Sequence, residues 1–81
     1  MGAVVQINPT APARHVSRRF GDFLDEHAQD FELKYCWLEP EPEVIEALKA
    51  IRPDGAEEAE AIREILALLD AGDEVEILYG Y

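Results

Sequence analysis

The chain has 81 residues, of which 48% are hydrophobic and 31% are charged. This length suits one small domain, and the apolar fraction is too high for a disordered acidic tail. We therefore expect residues 1–81 to form a single compact acidic domain. Eighteen acids against seven bases give a formal net charge of −11. Because nucleic-acid affinity depends on neutralising phosphates with lysine and arginine, this charge argues against direct binding to nucleic acid.

The sequence also predicts a cytoplasmic protein that does not contact a membrane. Its longest apolar run is only a few residues, which is too short to span a bilayer. Residues 1–7 contain no base and precede a proline-rich segment, unlike a secretory signal peptide. Cys36 is the one cysteine, so the chain forms no intramolecular disulfide and is typical of a reducing compartment.

The N-terminal third predicts a strand followed by a helix. Residues 3–8 are rich in β-branched side chains, with Ala3, Val5 and Ile7 sharing one face of a strand. Thr10 is suited to cap a helix over residues 11–29. The apolar side chains of this helix follow helical spacing: Ala13, Val16, Phe20, Phe23, Leu24 and Ala28.

Residues 31–38 alternate between two faces and predict the second and central strand. We expect its aromatic face to point into the core, with Phe31, Leu33, Tyr35 and Trp37 inward. The following segment, residues 39–43, contains two prolines, which cannot donate to a β-ladder, so it predicts a stiff acidic connector.

The C-terminal half predicts two helices and a last strand. Pro42 suits the first turn of a helix over residues 42–52. Asp54 and Glu57 stand at the two positions of a capping box for the next helix. The buried stripe of this third helix is expected to comprise Ala59, Ile62, Ile65, Leu66 and Leu69. Gly72 suits the left-handed position beyond the end of the helix, and residues 74–79 predict the third strand.

The resulting order, β-α-β-α-α-β, predicts an α/β (α+β) fold. Helical crossovers between successive strands favour a parallel three-stranded sheet with the helices on one face. The opposite face would be open to solvent or to a partner. It would carry Val4, Gln6, Glu32, Lys34, Cys36, Leu38, Glu74, Glu76 and Leu78.

The sequence offers little for catalysis, and we expect no enzyme activity, cofactor or metal. Ser17 lies two residues from His15 on the predicted helix, where such neighbours do not face each other. Cys36 lies mid-strand near acids that would raise the pKa of its thiol. His27 and Asp30 are spaced for one helix face but lack further ligands nearby. Ser17 also lacks the Asp-Ser-Leu context of acyl carrier proteins, and one cysteine cannot support a ferredoxin cluster.

Rows of carboxylates are the main functional signal. Glu57, Glu60 and Glu64 fall on one side of the third helix, and they span about 10 Å at 1.5 Å per residue. Similar groups occur on the first helix and before the second. We predict that a partner is bound by ten acids: Asp22, Asp25, Glu26, Asp30, Glu41, Glu43, Glu57, Glu58, Glu60 and Glu64. The alternative is general acidity, from a salt-adapted proteome or selection for solubility.

These rows imitate rows of phosphates and favour a small inhibitor or adaptor that docks on a basic, nucleic-acid-binding protein. Anti-CRISPR-like proteins, DNA-mimic proteins and nuclease immunity proteins share this physical profile. The segments 54–57 and 70–73 frame an acidic helix followed by a strand, which resembles barstar-like inhibitors. The chain departs from that family because it lacks the helix that carries the family's inhibitory acids ahead of strand two.

Two other hypotheses come from different classes. A homo-oligomeric structural or regulatory module would associate through the open sheet face or a sheet edge. A small enzyme or ligand-binding domain would need a defined pocket. The basic side chains Arg14, Arg18 and Arg19 either pair with Asp22, Asp25 and the acidic connector or form a second contact patch.

Overall fold

A computed structural model describes residues 3–7, 12–32 and 35–80, with the backbone alone for residue 3 and residues 30–32. The described elements follow the chain in the order β-β-α-β-β-α-α-β. They are β1 (Ala3–Ile7), β2 (Arg14–Val16), α1 (Arg18–His27), β3 (Gln29–Glu32), β4 (Tyr35–Leu38), α2 (Pro42–Lys49), α3 (Ala56–Asp70) and β5 (Val75–Gly80).

Within the described part of the chain, the strands form one five-stranded sheet in the order β2-β1-β5-β4-β3. Each neighbouring pair is antiparallel. The predicted parallel three-stranded sheet is therefore wrong, although the α+β class is confirmed. Two helices in succession, α2 and α3, connect β4 to β5. One helical crossover returns the chain for a parallel strand, whereas two helices in succession allow it to return in the opposite direction.

The predicted first helix begins too early. Residues 14–16 pair with β1 as a strand, and α1 begins only at Arg18 with Ser17 as its N-cap. Val16 suits either structure, because it continues the helical spacing of Phe20 and Phe23 and also fills the core from β2. The stripe of α1 itself is confirmed, since Phe20, Phe23 and Leu24 are buried. The proposed cap, Thr10, lies outside the described residues.

The predicted central strand, residues 31–38, is divided between two strands, and its residues 33 and 34 lie outside the described residues. β3 and β4 pair antiparallel, with Gln29 opposite Trp37 and Glu32 opposite Tyr35, so residue 33 and residue 34 lie between them in sequence. The predicted faces of β4 are reversed, because Cys36 and Leu38 are fully buried while Tyr35 and Trp37 stay half-exposed. Alternation alone could not decide the direction, since both faces of this segment carry apolar side chains.

The predictions for α2 and α3 are close to the structure. Pro42 occupies the first turn of α2, as expected. Gly72 has φ +86°, and the bonds from Gly72 N to Leu69 O and from Asp73 N to Leu68 O form a Schellman motif. The predicted capping box is wrong, because Gly55 rather than Asp54 is the N-cap of α3.

One hydrophobic core joins the three helices to one face of the sheet. The sheet contributes Val5, Ile7, Val16, Cys36, Leu38, Val75 and Ile77 to it. The alternate residues of the three central strands point away from this core and remain half-exposed. They define the open sheet face: Val4, Gln6, Tyr35, Trp37, Glu76 and Leu78.

Gly21 lets α1 approach the end of β5. A Cβ atom at this position would overlap the Tyr79 hydroxyl oxygen and would lie 3.2 Å from Tyr79 Cζ. Glycine costs about 1 kcal/mol in a helix interior relative to alanine. The contact with Tyr79 gives this unfavourable residue a structural reason, which the sequence pattern of α1 does not show.

Candidate protein-binding surface

The acidic row of α3 lies against β2. Arg14 Nη1 is 2.7 Å from Glu64 Oε2, and Arg14 Nε is 4.0 Å from Glu60 Oε2. The short contact is an ion pair that is not aligned as a hydrogen bond from Nη1. The carboxylate of Glu64 raises the pKa of the Arg14 guanidinium. Arg14 therefore pairs with α3, and not with the acids of α1 or the connector as the sequence suggested.

Glu57 is held by the neighbouring residue of β2. The backbone N–H of His15 donates to Glu57 Oε1 at 3.3 Å, and His15 Nδ1 lies 3.4 Å from the same oxygen. The backbone hydrogen bond, supported by the side-chain contact, holds the pKa of the Glu57 carboxyl below its ordinary value. Glu57, Glu60 and Glu64 remain about half-exposed, but their negative charge is partly compensated by contacts with Arg14 and His15.

Glu58 is buried at the junction of α3 with the start of α1. Its side chain is 2% exposed, and both oxygens accept hydrogen bonds from Ser17, one from the backbone N–H and one from Oγ at 3.0 Å. A carboxylate beside a helix N-terminus also interacts favourably with the helix dipole. Glu58 is thus a structural residue, and its carboxylate is not available to a partner.

The remaining acids of the predicted set lie on α1 and at the start of α2. Asp22, Asp25, Glu41 and Glu43 are exposed, and none of them forms an ion pair with a described residue. Glu26 is exposed too, and its only described ion contact is with His27 at 4.0 Å. Only the backbone of residue 30 is described. Within the predicted set, the acids without a compensating base therefore lie on α1 and at the start of α2, and not in the α3 row of Glu57, Glu60 and Glu64.

A cleft of about 450 Å³ separates α1 from the end of α2. Its polar lining mixes both signs: Arg19, Asp22, Glu26, His27 and Arg52. Phe23, whose ring centroid lies 5.2 Å from that of His27, and Ile51 supply apolar lining. Such mixed charges favour neither a simple anion nor a simple cation.

The residues considered for catalysis have other roles in the structure. Ser17 donates its hydroxyl to Glu58, and His15 contacts Glu57. Cys36 is fully buried, and burial, together with the charge of Asp25, raises the pKa of its thiol to about 11. Among the described residues, no group of three or more His, Cys, Asp or Glu side chains could hold a metal ion.

Tyr35 and Trp37 are not among the predicted site residues, because the alternating pattern predicts that they point into the core. In the structure they belong to the open sheet face. The signal that could have identified them is the small size of Cys36 and the aliphatic character of Leu38, which suit close packing against helices. These aromatic side chains are candidates for contact with a partner.

No protein family model, curated protein or solved structure matches the chain. Within the part of the chain that the structure describes, none of the helices is long and apolar enough to cross a membrane.

Proposed function

We propose that this protein is a small acidic inhibitor or adaptor that binds a basic, nucleic-acid-binding protein by electrostatic complementarity. The observation that supports this most is a set of exposed carboxylates on α1 and at the start of α2 that form no ion pair with a described base, namely Asp22, Asp25, Glu41 and Glu43. Carboxylates held on short helices offer a partner fixed negative charges, as phosphates do.

The net charge of the whole molecule adds a long-range electrostatic attraction to these exposed carboxylates. A net charge of −11 on 81 residues produces a negative field that attracts a basic protein before contact. The same field repels nucleic acid, so the protein would compete with nucleic acid for the partner rather than bind beside it. The proposal thus describes a nucleic-acid mimic, similar in action to anti-CRISPR-like or immunity-type blockers.

The proposal is of a binding protein and not of an enzyme, acting in the cytoplasm. Two candidate nucleophiles support the absence of enzyme activity. Ser17 donates a hydrogen bond to Glu58, and Cys36 is buried with a raised thiol pKa. A buried, protonated thiol is a poor nucleophile.

The test begins with immobilised protein exposed to an extract of its source cells, followed by elution with rising salt and identification of the retained protein. We expect a basic nucleic-acid-binding protein. Its association rate with the purified chain should fall steeply as salt increases, because exposed charges are screened beyond about 10 Å at 0.1 M ionic strength. Retention of only neutral or acidic proteins, or a rate independent of salt, would contradict the proposal.

Two matched variants then locate the steering charges. In the first, Asp22→Asn, Asp25→Asn, Glu41→Gln and Glu43→Gln together change the net charge from −11 to −7. The control makes the same change in charge at four other exposed acids, with Asp54→Asn, Asp70→Asn, Asp73→Asn and Glu74→Gln. We expect association to slow about tenfold in the first variant and clearly less in the control. Equal effects would show that α1 and α2 have no special part.

A further inference from the structure

The open sheet face has a composition unlike the rest of the surface. Four of its six members, Val4, Tyr35, Trp37 and Leu78, are apolar or aromatic and only partly buried, and none of the described helices packs on them. Large aromatic side chains at a surface are typical of the anchors of protein interfaces, where each buries a large area at a low cost in conformational entropy. This face therefore suits contact with a partner in a way that the exposed acids of α1 and α2 do not.

The register of β4 and β5 places an aromatic ring beside a carboxylate. Trp37 lies directly opposite Glu76, and Tyr35 lies directly opposite Leu78. Directly opposite side chains on an antiparallel pair have Cβ atoms about 4.5–5.5 Å apart. Glu76 and Trp37 are thus neighbours on one face, with Tyr35 two residues before Trp37 on the same strand.

An aromatic ring beside a carboxylate suits a guanidinium group. Arginine stacks on the face of tryptophan through cation–π and planar contact, and its fork of N–H donors matches a carboxylate. Lysine offers a point charge without the planar stacking, so this arrangement favours arginine over lysine. The face can therefore recognise one arginine side chain of a partner and cover it with apolar neighbours.

Charge complementarity distinguishes this occupant from the alternatives. Glu76 is the one charged side chain of the open sheet face as defined above, and no described lysine or arginine lies on that face. A second copy would bring another Glu76 and a further net charge of −11. Single-stranded nucleic acid could stack on Trp37 but would meet a carboxylate where it needs a cation.

We propose that the basic partner docks on the open sheet face, with an arginine side chain of the partner stacked on Trp37 and paired with Glu76. This inference rests on the proposed function and adds its contact face. The carboxylates of α1 and α2 attract the partner from a distance, whereas Trp37 and Glu76 hold it at short range. The two groups should accordingly act on different rate constants, the first on association and the second on dissociation.

Trp37 is the single tryptophan of the chain, so its fluorescence reports on this face alone. A short peptide of arginine residues, without tryptophan, serves as the probe, and a lysine peptide of equal length serves as its comparison. At low salt we expect the arginine peptide to change the Trp37 emission saturably and to bind about three- to tenfold more tightly than the lysine peptide. The indole N–H resonance of Trp37 should shift in step with the emission.

Variants at Trp37 and Glu76, with a control at Asp70, test which side chains bind the arginine peptide. Trp37→Ala should weaken binding of the arginine peptide about tenfold or more, and Glu76→Lys should do so through faster dissociation. Asp70→Lys, at an exposed position on α3, makes the same change in net charge and should weaken binding about twofold. Circular dichroism and thermal unfolding of each variant identify any that fails to fold.

The outcomes separate this inference from the proposed function. Binding of the arginine peptide with unchanged Trp37 signals, or an equal loss of affinity in Glu76→Lys and Asp70→Lys, would overturn the docking face while leaving a basic partner in place. No binding of either cationic peptide at low salt would count against both. Saturable quenching of Trp37 by single-stranded RNA, or a dimer that buries Trp37 in light-scattering and fluorescence measurements, would replace arginine with another occupant.

Discussion

Glu58 shows how a single carboxylate can join two distant parts of this chain. It lies 41 residues from Ser17 in sequence, yet accepts hydrogen bonds from both the backbone N–H and the hydroxyl of that residue. Ser17 is the N-cap of α1 and makes no side-chain cap bond, and its hydroxyl donates to Glu58. The contact therefore fixes the point where β2 ends and α1 begins.

Replacing Glu58 with alanine is expected to lower the free energy of unfolding by about 2–4 kcal/mol, because the N–H of Ser17 would lose a buried, charged acceptor. Ser17→Ala should cost less, about 1 kcal/mol, since it removes only the hydroxyl bond. Urea unfolding followed by far-ultraviolet circular dichroism measures both changes.

Glu60→Ala provides the control on the same helix, because Glu60 is half-exposed and contacts Arg14 only at 4.0 Å. It should leave the unfolding midpoint nearly unchanged. If Glu58→Ala were as mild as Glu60→Ala, the hydrogen bonds to Ser17 would not stabilise the fold.

Sequence reasoning could not have found the role of Glu58. A glutamate is normally assigned to the solvent side of a helix, and the neighbouring acids Glu57 and Glu60 are indeed exposed. Its burial depends on Ser17, which the sequence placed in the middle of a longer helix. The error about where α1 begins and the error about Glu58 thus have one cause.

At the scale of elements, β4 decides which side chains are available to a partner. Cys36 and Leu38 pack beneath α-helices, while Tyr35 and Trp37 lie on the open sheet face. A shift of one residue in orientation would exchange these two sets completely. The proposed docking surface therefore depends on the orientation of this one short strand.

Leu38→Ala and Trp37→Ala test that orientation by their effects on stability. Leu38 is fully buried, so its truncation should cost about 2–5 kcal/mol. Trp37 is half-exposed, and its truncation should cost only about 1 kcal/mol. Chemical denaturation of the two variants gives the comparison. A larger loss for Trp37→Ala would restore the orientation expected from the sequence and remove the basis for arginine recognition.

Other elements show where periodicity is sufficient and where it is not. The apolar stripes of α1 and α3 and the stop at Gly72 were predictable, because one face of each helix meets the core and glycine accepts the positive φ. The β3–β4 hairpin was not, since its residues continue one alternating pattern without a glycine or proline turn signal. The two helices between β4 and β5 were predicted correctly and already favour antiparallel pairing of these strands. β2 was not predictable, because Val16 also fits the helical spacing of α1.

At the scale of the whole molecule, charge was predictable and its distribution was not. The net charge of −11 follows from composition alone. Which acids lack an ion pair depends on tertiary contacts, because Arg14 and His15 contact the α3 row that the sequence favours as the binding site. In the proposed account, the exposed acids of α1 and of the start of α2 attract the partner, and the open sheet face binds it.

Competition with nucleic acid tests the central claim most directly. The basic partner is first loaded with a fluorescently labelled oligonucleotide, and the purified chain is then added while fluorescence anisotropy is recorded. The account predicts that the chain displaces the oligonucleotide at stoichiometric amounts, and that Trp37→Ala does so only at about tenfold or higher concentration. A ternary complex, in which the partner holds the oligonucleotide and the chain at the same time, would contradict the account.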